Sequence, residues 1–208
     1  MRRRPPRRRG SRLGLALGSI LVLLLSYFLG ARYARGPQPE LSGYLLPEPQ
    51  ALPGFRLRDH WGGPFTNASL QHRWSLLLVG RSDDPACAPL LVRYVRVLNR
   101  LAARRDLLDQ LQVVFVALDA PPDLRLQGDL GRYHPDFLGV TGEPQALRRL
   151  ARGLGVPREA IEGGNLCAPG ADYASLSDRR GRLRLLWSGV QAPADIARDL
   201  TWLFDHQE

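Results

Sequence analysis

"WSLLLVGRSDDPACAPLLVRYVRVL", residues 74 to 98, holds an apolar run, a turn and an amphipathic segment in succession. Trp74 to Val79 is nearly continuous in apolar character and ends at turn residues, the pattern of a strand covered on both faces. Leu90, Leu91, Tyr94, Val97 and Leu98, with Leu101 just beyond, recur at helical spacing and predict a helix with one buried face. Between them, "GRSDDPACAP" places one cysteine, two aspartates and two prolines at a strand-to-helix turn, where α/β proteins commonly build their sites.

The same alternation continues outward. Phe55 to Arg58 reads as a short strand, followed by a turn on Gly62, Gly63 and Pro64. Gln112 to Leu118 is a second apolar run, stopped by "DAPPD". A weaker helical pattern covers Leu124 to Tyr133, a short strand covers Phe137 to Val140, and a helix over Glu143 to Leu154 aligns Leu147, Leu150 and Leu154. Tyr173 to Ser177 and Leu183 to Trp187 flank "DRRGR", a hairpin signal with Gly181 at its bend. Ala192 to Phe204 closes as a helix with Pro193 and Asp195 in its first turn. Strand and helix alternate before the hairpin, which predicts an α/β fold: a thioredoxin-like domain with a mostly parallel central sheet and helices on both faces.

The 208-residue chain carries a net charge of +9, placed unevenly. Every basic residue is arginine; nine of the 29 fall in the first 36 residues, and the first acid is Glu40. Beyond residue 36, twenty arginines face twenty acids, so the remainder is neutral and nucleic-acid binding is not expected. The early arginines flank "LGLALGSILVLLLSYFLGA", Leu13 to Ala31, an uncharged run of 19 residues. As a helix such a run reaches about 28 Å, close to the hydrocarbon thickness of a bilayer. Seven arginines before it and two after it predict a single-pass anchor with the N-terminus in the cytoplasm. A cleaved signal peptide would be shorter and end at a small-residue site, for which "FLGARYARG" offers only weak candidates; a mitochondrial presequence before an anchor also fits. The expected organisation is an Arg-rich tip over 1–12, a transmembrane helix over 13–32, a proline-rich linker over 33–53 and one extracytoplasmic domain over 54–208. The expected location is the bacterial inner membrane with the domain in the periplasm, or the mitochondrial inner membrane with the domain in the intermembrane space.

Four stretches carry a family resemblance: "LPGFRLRDHWGGPFT", "QVVFVALDAPPD", "RYHPDFLGVTGEPQALRRLARGLGV" and "SDRRGRLRLLWSG". Over about residues 52 to 205 the chain resembles the Sco/SenC family, membrane-anchored thioredoxin-fold copper chaperones of cytochrome c oxidase assembly. In that family, copper is held by two cysteines in the loop after the first core strand and by a distant histidine before the last hairpin. Aligning Gly80, Pro85 and Pro89 puts Asp84 and Ala88 at the cysteine positions, and counting back from the hairpin puts Gly170 at the histidine's. Copper(I) requires soft thiolate or imidazole donors, which none of these supplies.

The chain's two cysteines stand close to those positions in the alignment, Cys87 one residue before the second and Cys167 about three before the third. The resemblance implies that their loops face each other. Three readings stand open: a disulfide, favoured by an even count and an oxidising compartment; two buried free thiols; or a pair that binds copper(I) or exchanges disulfides. Asp84 reads as an acid at a helix start, His60 and His72 as solvated turn residues, His206 as a frayed end and His134 as a packing or hydrogen-bonding residue. Trp61, Tyr173 and Trp187 read as interface anchors or as core. The resemblance implies a non-enzymatic accessory factor without a cofactor, binding an oxidase subunit or assembly factor through Arg81, Ser82, Asp83 and Pro85 and the facing loop from Gly164 to Asp172, with the oligomeric state open. The alternative is a divergent copper(I) or thiol-disulfide protein using Cys87 and Cys167.

Overall fold

The computed structural model describes residues 18–27, 40–120 and 123–206. The chain divides into two units, Met1–Glu40 and Leu41–Glu208. In the first, residues 18–27 are helical, and Ile20 to Leu25 and Tyr27 are all more than half exposed. Among the described residues no helix is long and apolar enough to cross a membrane. The Arg-rich tip and parts of the expected anchor and linker lie outside the described residues.

The second unit is built on one eight-stranded sheet: β1 (Tyr44–Ala51), β2 (Arg56–Asp59), β3 (Pro64–Thr66), β4 (Trp74–Gly80), β5 (Leu111–Ala117), β6 (Phe137–Thr141), β7 (Tyr173–Ser177) and β8 (Arg182–Ser188). Their order across the sheet is β1-β8-β7-β4-β5-β6-β2-β3. The helices are α1 (Ala88–Arg100), α2 (Arg105–Leu108), α3 (Asp123–Gly131), α4 (Pro144–Gly153), α5 (Arg158–Gly163) and α6 (Pro193–His206). All seven residues of β4 are buried, and α1 buries Leu90, Leu91, Tyr94 and Val97. The apolar run and the helical stripe of the quoted stretch therefore belong to one core.

The sheet is mixed, which corrects the expectation of a mostly parallel one. Only β4, β5 and β6 run parallel; β7 and β8 on one side and β2 and β3 on the other pair antiparallel. Short turns join β2 to β3 and β7 to β8, which makes those two pairs antiparallel, whereas helix-bearing crossovers join β4 to β5 and β5 to β6 and allow parallel pairing. Gly181 makes the β7–β8 bend possible with a φ of +72°.

Within the stretch read as linker, Tyr44–Ala51 instead forms β1 and pairs with β8 at the sheet edge. Its pairing breaks between Leu45 and Gln50, the interval that contains Pro47 and Pro49, which have no N–H to donate. At the other end of the chain's course through the sheet, Gly80 and Ala117 lie side by side where β4 and β5 finish. The cysteine-bearing turn leaves the sheet from that end.

Candidate functional site at the ends of the central strands

Gly80 sits where side-chain space runs out: a Cβ there would lie 3.0 Å from the Phe115 ring and 3.3 Å from Cys87 Sγ. The Arg81 backbone N–H donates to Cys87 Sγ at 3.3 Å. The Arg81 guanidinium clasps Asp83 through bonds of 3.0 and 2.9 Å, and this hydrogen bonding holds its pKa above the ordinary arginine value. Ser82 donates from its backbone N and its Oγ to the two carboxylate oxygens of Asp119, at 2.8 and 2.7 Å, tying the turn to the segment after β5. Asp84 accepts from Ala86 N at 2.9 Å and caps a 3-10 turn over Pro85–Cys87. Ala88 opens α1.

Cys87 and Cys167 form a disulfide, with Cα atoms 4.9 Å apart across 80 residues of sequence. Both are buried, and neither cysteine is free, so the open choice between a disulfide and two free thiols closes on the disulfide. Gly170 lies exposed in the facing loop with a φ of +87°. Two residues later Asp172 is buried and ion-paired with Arg93 of α1. The disulfide and this ion pair thus hold one loop against the start of one helix.

Arg81, Ser82, Asp84, Cys87, Leu91 and Tyr133 line a cleft of about 160 Å³ between this turn and the end of α3. The structure brings Arg81, Ser82, Asp84, Cys87 and Cys167 together, with Asp83 and Pro85 exposed on the outer side of the turn. Gly170 contributes no side chain. Asp119 and the Arg93–Asp172 pair were not singled out from the sequence. Asp119 had a usable signal, since it follows β5 at the level where Ser82 follows β4. The ion pair had none, because its partners are 79 residues apart and on unrelated elements.

Three aromatic and histidine expectations sort cleanly. Trp187 is core and Trp61 is exposed, while His134 stacks on Phe137 at 5.4 Å as a packing residue. His60 is corrected: it is buried, not solvated, because its Nδ1 accepts the Gly139 backbone N–H at 3.1 Å beside β6.

A mixed sheet with a cysteine-bearing turn after its first parallel strand, bridged to the loop before its closing hairpin, defines a thioredoxin-like protein with a single cross-loop disulfide. The SCO1/SenC family profile matches residues 46–205, and the chain belongs to that family. A Stutzerimonas stutzeri protein named provisionally for copper binding is 32% identical over 154 residues, 68% of this chain and 74% of that protein. The solution structure of apo Sco1 from Thermus thermophilus aligns with a TM-score of 0.63 at 25% identity, covering 81% of this chain and 99% of that one. Yeast Sco1 with copper bound aligns with a TM-score of 0.64 at 20% identity, covering 77% and 96%.

The donor set can be tested against copper(I) directly. Asp84 offers a hard carboxylate already engaged as a cap, Ala88 and Gly170 offer no donor atom, and the two sulfurs are bonded to each other. As they stand, these residues do not fit the ion. Among the described residues no group of three His, Cys, Asp or Glu side chains is placed to hold a metal.

Proposed function

We propose that the protein is a membrane-anchored Sco-like accessory factor in cytochrome c oxidase assembly that acts by binding a partner and not by catalysis. The observation that carries this reading is that the family profile spans residues 46–205 while the two cysteines are joined in a buried disulfide, and the positions that the resemblance assigns to the ligands hold Asp84, Ala88 and Gly170. The partner surface is the turn from Arg81 to Pro85 with the loop from Gly164 to Asp172, where Arg81 and Asp83 present a rigid, charged pair. The anchor is the apolar run whose exposed helical part is residues 18–27, and the domain lies in the periplasm, a setting in which a disulfide persists. Affinity capture of the full chain from a detergent-solubilised respiratory membrane tests it. An oxidase subunit or assembly factor should be retained and should be lost on the paired reversal Arg81→Glu and Asp83→Arg. Retention unchanged by the reversal removes the proposed surface.

The second reading, a copper(I) or thiol-disulfide role for Cys87 and Cys167, draws on the Arg81 N–H aimed at Cys87 Sγ, which would favour a thiolate after reduction. Native mass measurement of the reduced chain with copper(I) separates the two. No stoichiometric copper supports the binding factor, and one copper, lost with either cysteine replaced by serine, supports the second reading.

A further inference from the structure

At the end of the sheet opposite the disulfide, where β4 begins and β8 begins, lies a cavity of about 480 Å³ lined by His72, Trp74, Arg179, Arg180, Arg182 and Arg184. Asp178 also lines it and is the sole carboxylate there. That carboxylate is fully engaged: it takes the Arg180 and Arg182 backbone N–H groups on Oδ1, each at 2.9 Å, and the Arg182 guanidinium on Oδ2 at 3.0 and 2.9 Å. Arg179, Arg180 and Arg184 form no ion pair among the described residues. Three arginines without an ion-pair partner of their own therefore line one concavity whose single carboxylate, Asp178, is already bound by Arg182.

Arg184 is the most informative of them. On the β7 side the pairing steps from Leu176↔Leu185 to Ser177↔Leu183, and on the β1 side from Leu45↔Leu185 to Gln50↔Leu183. Arg184 is the residue passed over in both ladders, a bulge in the middle of an otherwise paired strand. Bulges re-aim a side chain, and this one turns a guanidinium toward the cavity with its Nε buried and without a hydrogen-bond acceptor. Burial also holds its pKa below the ordinary arginine value, a cost that an arriving anion would relieve. The rim is fixed: His72 N donates to Arg179 O at 2.7 Å, and Gln71 bridges Arg180.

We propose that this cavity is a binding site for a phosphate group. A carboxylate has two oxygens, and those of Asp178 are already filled, Oδ2 by the Arg182 guanidinium and Oδ1 by the Arg180 and Arg182 backbone N–H groups. A phosphate presents three or more acceptor oxygens in a tetrahedron and can take forks from several arginines at once, which is the arrangement left open by Arg179, Arg180 and Arg184. The phosphate belongs either to a small soluble phosphate compound or to an anionic lipid headgroup, since both offer the same oxygens.

Calorimetric titration of the full chain in non-ionic detergent with inorganic phosphate at low ionic strength tests the site. One saturable site is expected, weakened by added salt and about tenfold or more in Arg180→Gln and in Arg184→Gln. Arg180 is exposed, so its variant keeps the test independent of any effect of Arg184 on the sheet. Competition by phosphatidylglycerol vesicles assigns the site to a lipid headgroup, and absence of competition assigns it to a soluble phosphate; both uphold the proposal. No saturable phosphate binding, binding unchanged in both variants, or a preference for polyglutamate over phosphate overturns it.

Discussion

Asp199 is fully buried on α6 and has no cationic partner among the described residues, yet it accepts hydrogen bonds from Ser42 N, Ser42 Oγ, Gly43 N and Trp187 Nε1, all between 2.6 and 3.1 Å. A carboxylate can be buried when several donors replace its water, and here those donors belong to the segment that leads into β1 and to the indole of β8. Asp199→Ala strands these donors and is expected to cost about 3 kcal/mol, read as a lower urea midpoint at unchanged m-value. His60 presents the reverse case. Burial holds its imidazole below the ordinary value, with Asp59 opposing, and its Nε2 has no partner to receive a proton's charge. Above about pH 6.5 both folded and unfolded imidazoles are neutral and nothing is lost; as pH falls through that value the unfolded chain takes up the proton first, so stability declines toward acid. His60→Asn keeps an acceptor for Gly139 N and should flatten the decline between about pH 6.5 and 5, measured by urea unfolding across that range. Equal slopes for both proteins would remove His60 as the cause.

At the scale of elements, the disulfide and the Arg93–Asp172 ion pair are parallel ties between α1 and the loop before β7. Closing a loop of 80 residues is worth about 4 kcal/mol in the chain-entropy picture, so the paired change Cys87→Ser and Cys167→Ser should lower stability by up to that amount. With the disulfide gone, the ion pair still ties the loop to α1, and Arg93→Met should cost more in the serine background than in the parent; additive costs would show that the two ties do not share a loop. The elements that make this arrangement were legible from sequence where periodicity was strong: β4, β5, α1, α4, the β7–β8 hairpin and α6 all fall within a residue or two of their expected positions. β1 was not, because prolines and polar residues at a sheet edge read as linker, and β3, three residues long, reads as turn. The candidate site was legible only as positions. That Asp84, Ala88 and Gly170 lack soft donors can be read from letters, but the cysteine pairing depends on a distance between residues 80 apart, and the bulge at Arg184 depends on two neighbouring strands at once.

For the whole molecule, the sheet separates two chemistries by the length of β4, about 20 Å: the bridged loops at one end and the arginine cavity at the other. The disulfide also makes the chain report where it has been. Cys87 is 2% exposed and Cys167 9%, so once paired they are shielded from solution reductants, and an oxidising compartment favours their pairing. If the apolar run from Leu13 to Ala31 delivers the domain across the membrane, its removal should leave the domain in a reducing compartment with both thiols free. Acid quenching of growing cells, denaturation and maleimide labelling read this directly. The full chain should take up no label without prior reduction and should sediment with membranes, whereas the chain lacking residues 13–31 should take up two labels and remain soluble. Two labels on the full chain would place its domain in the reducing compartment and reverse the orientation that the arginine asymmetry predicts. No label on the shortened chain would mean that the disulfide forms without export, and the pairing would then report local geometry alone.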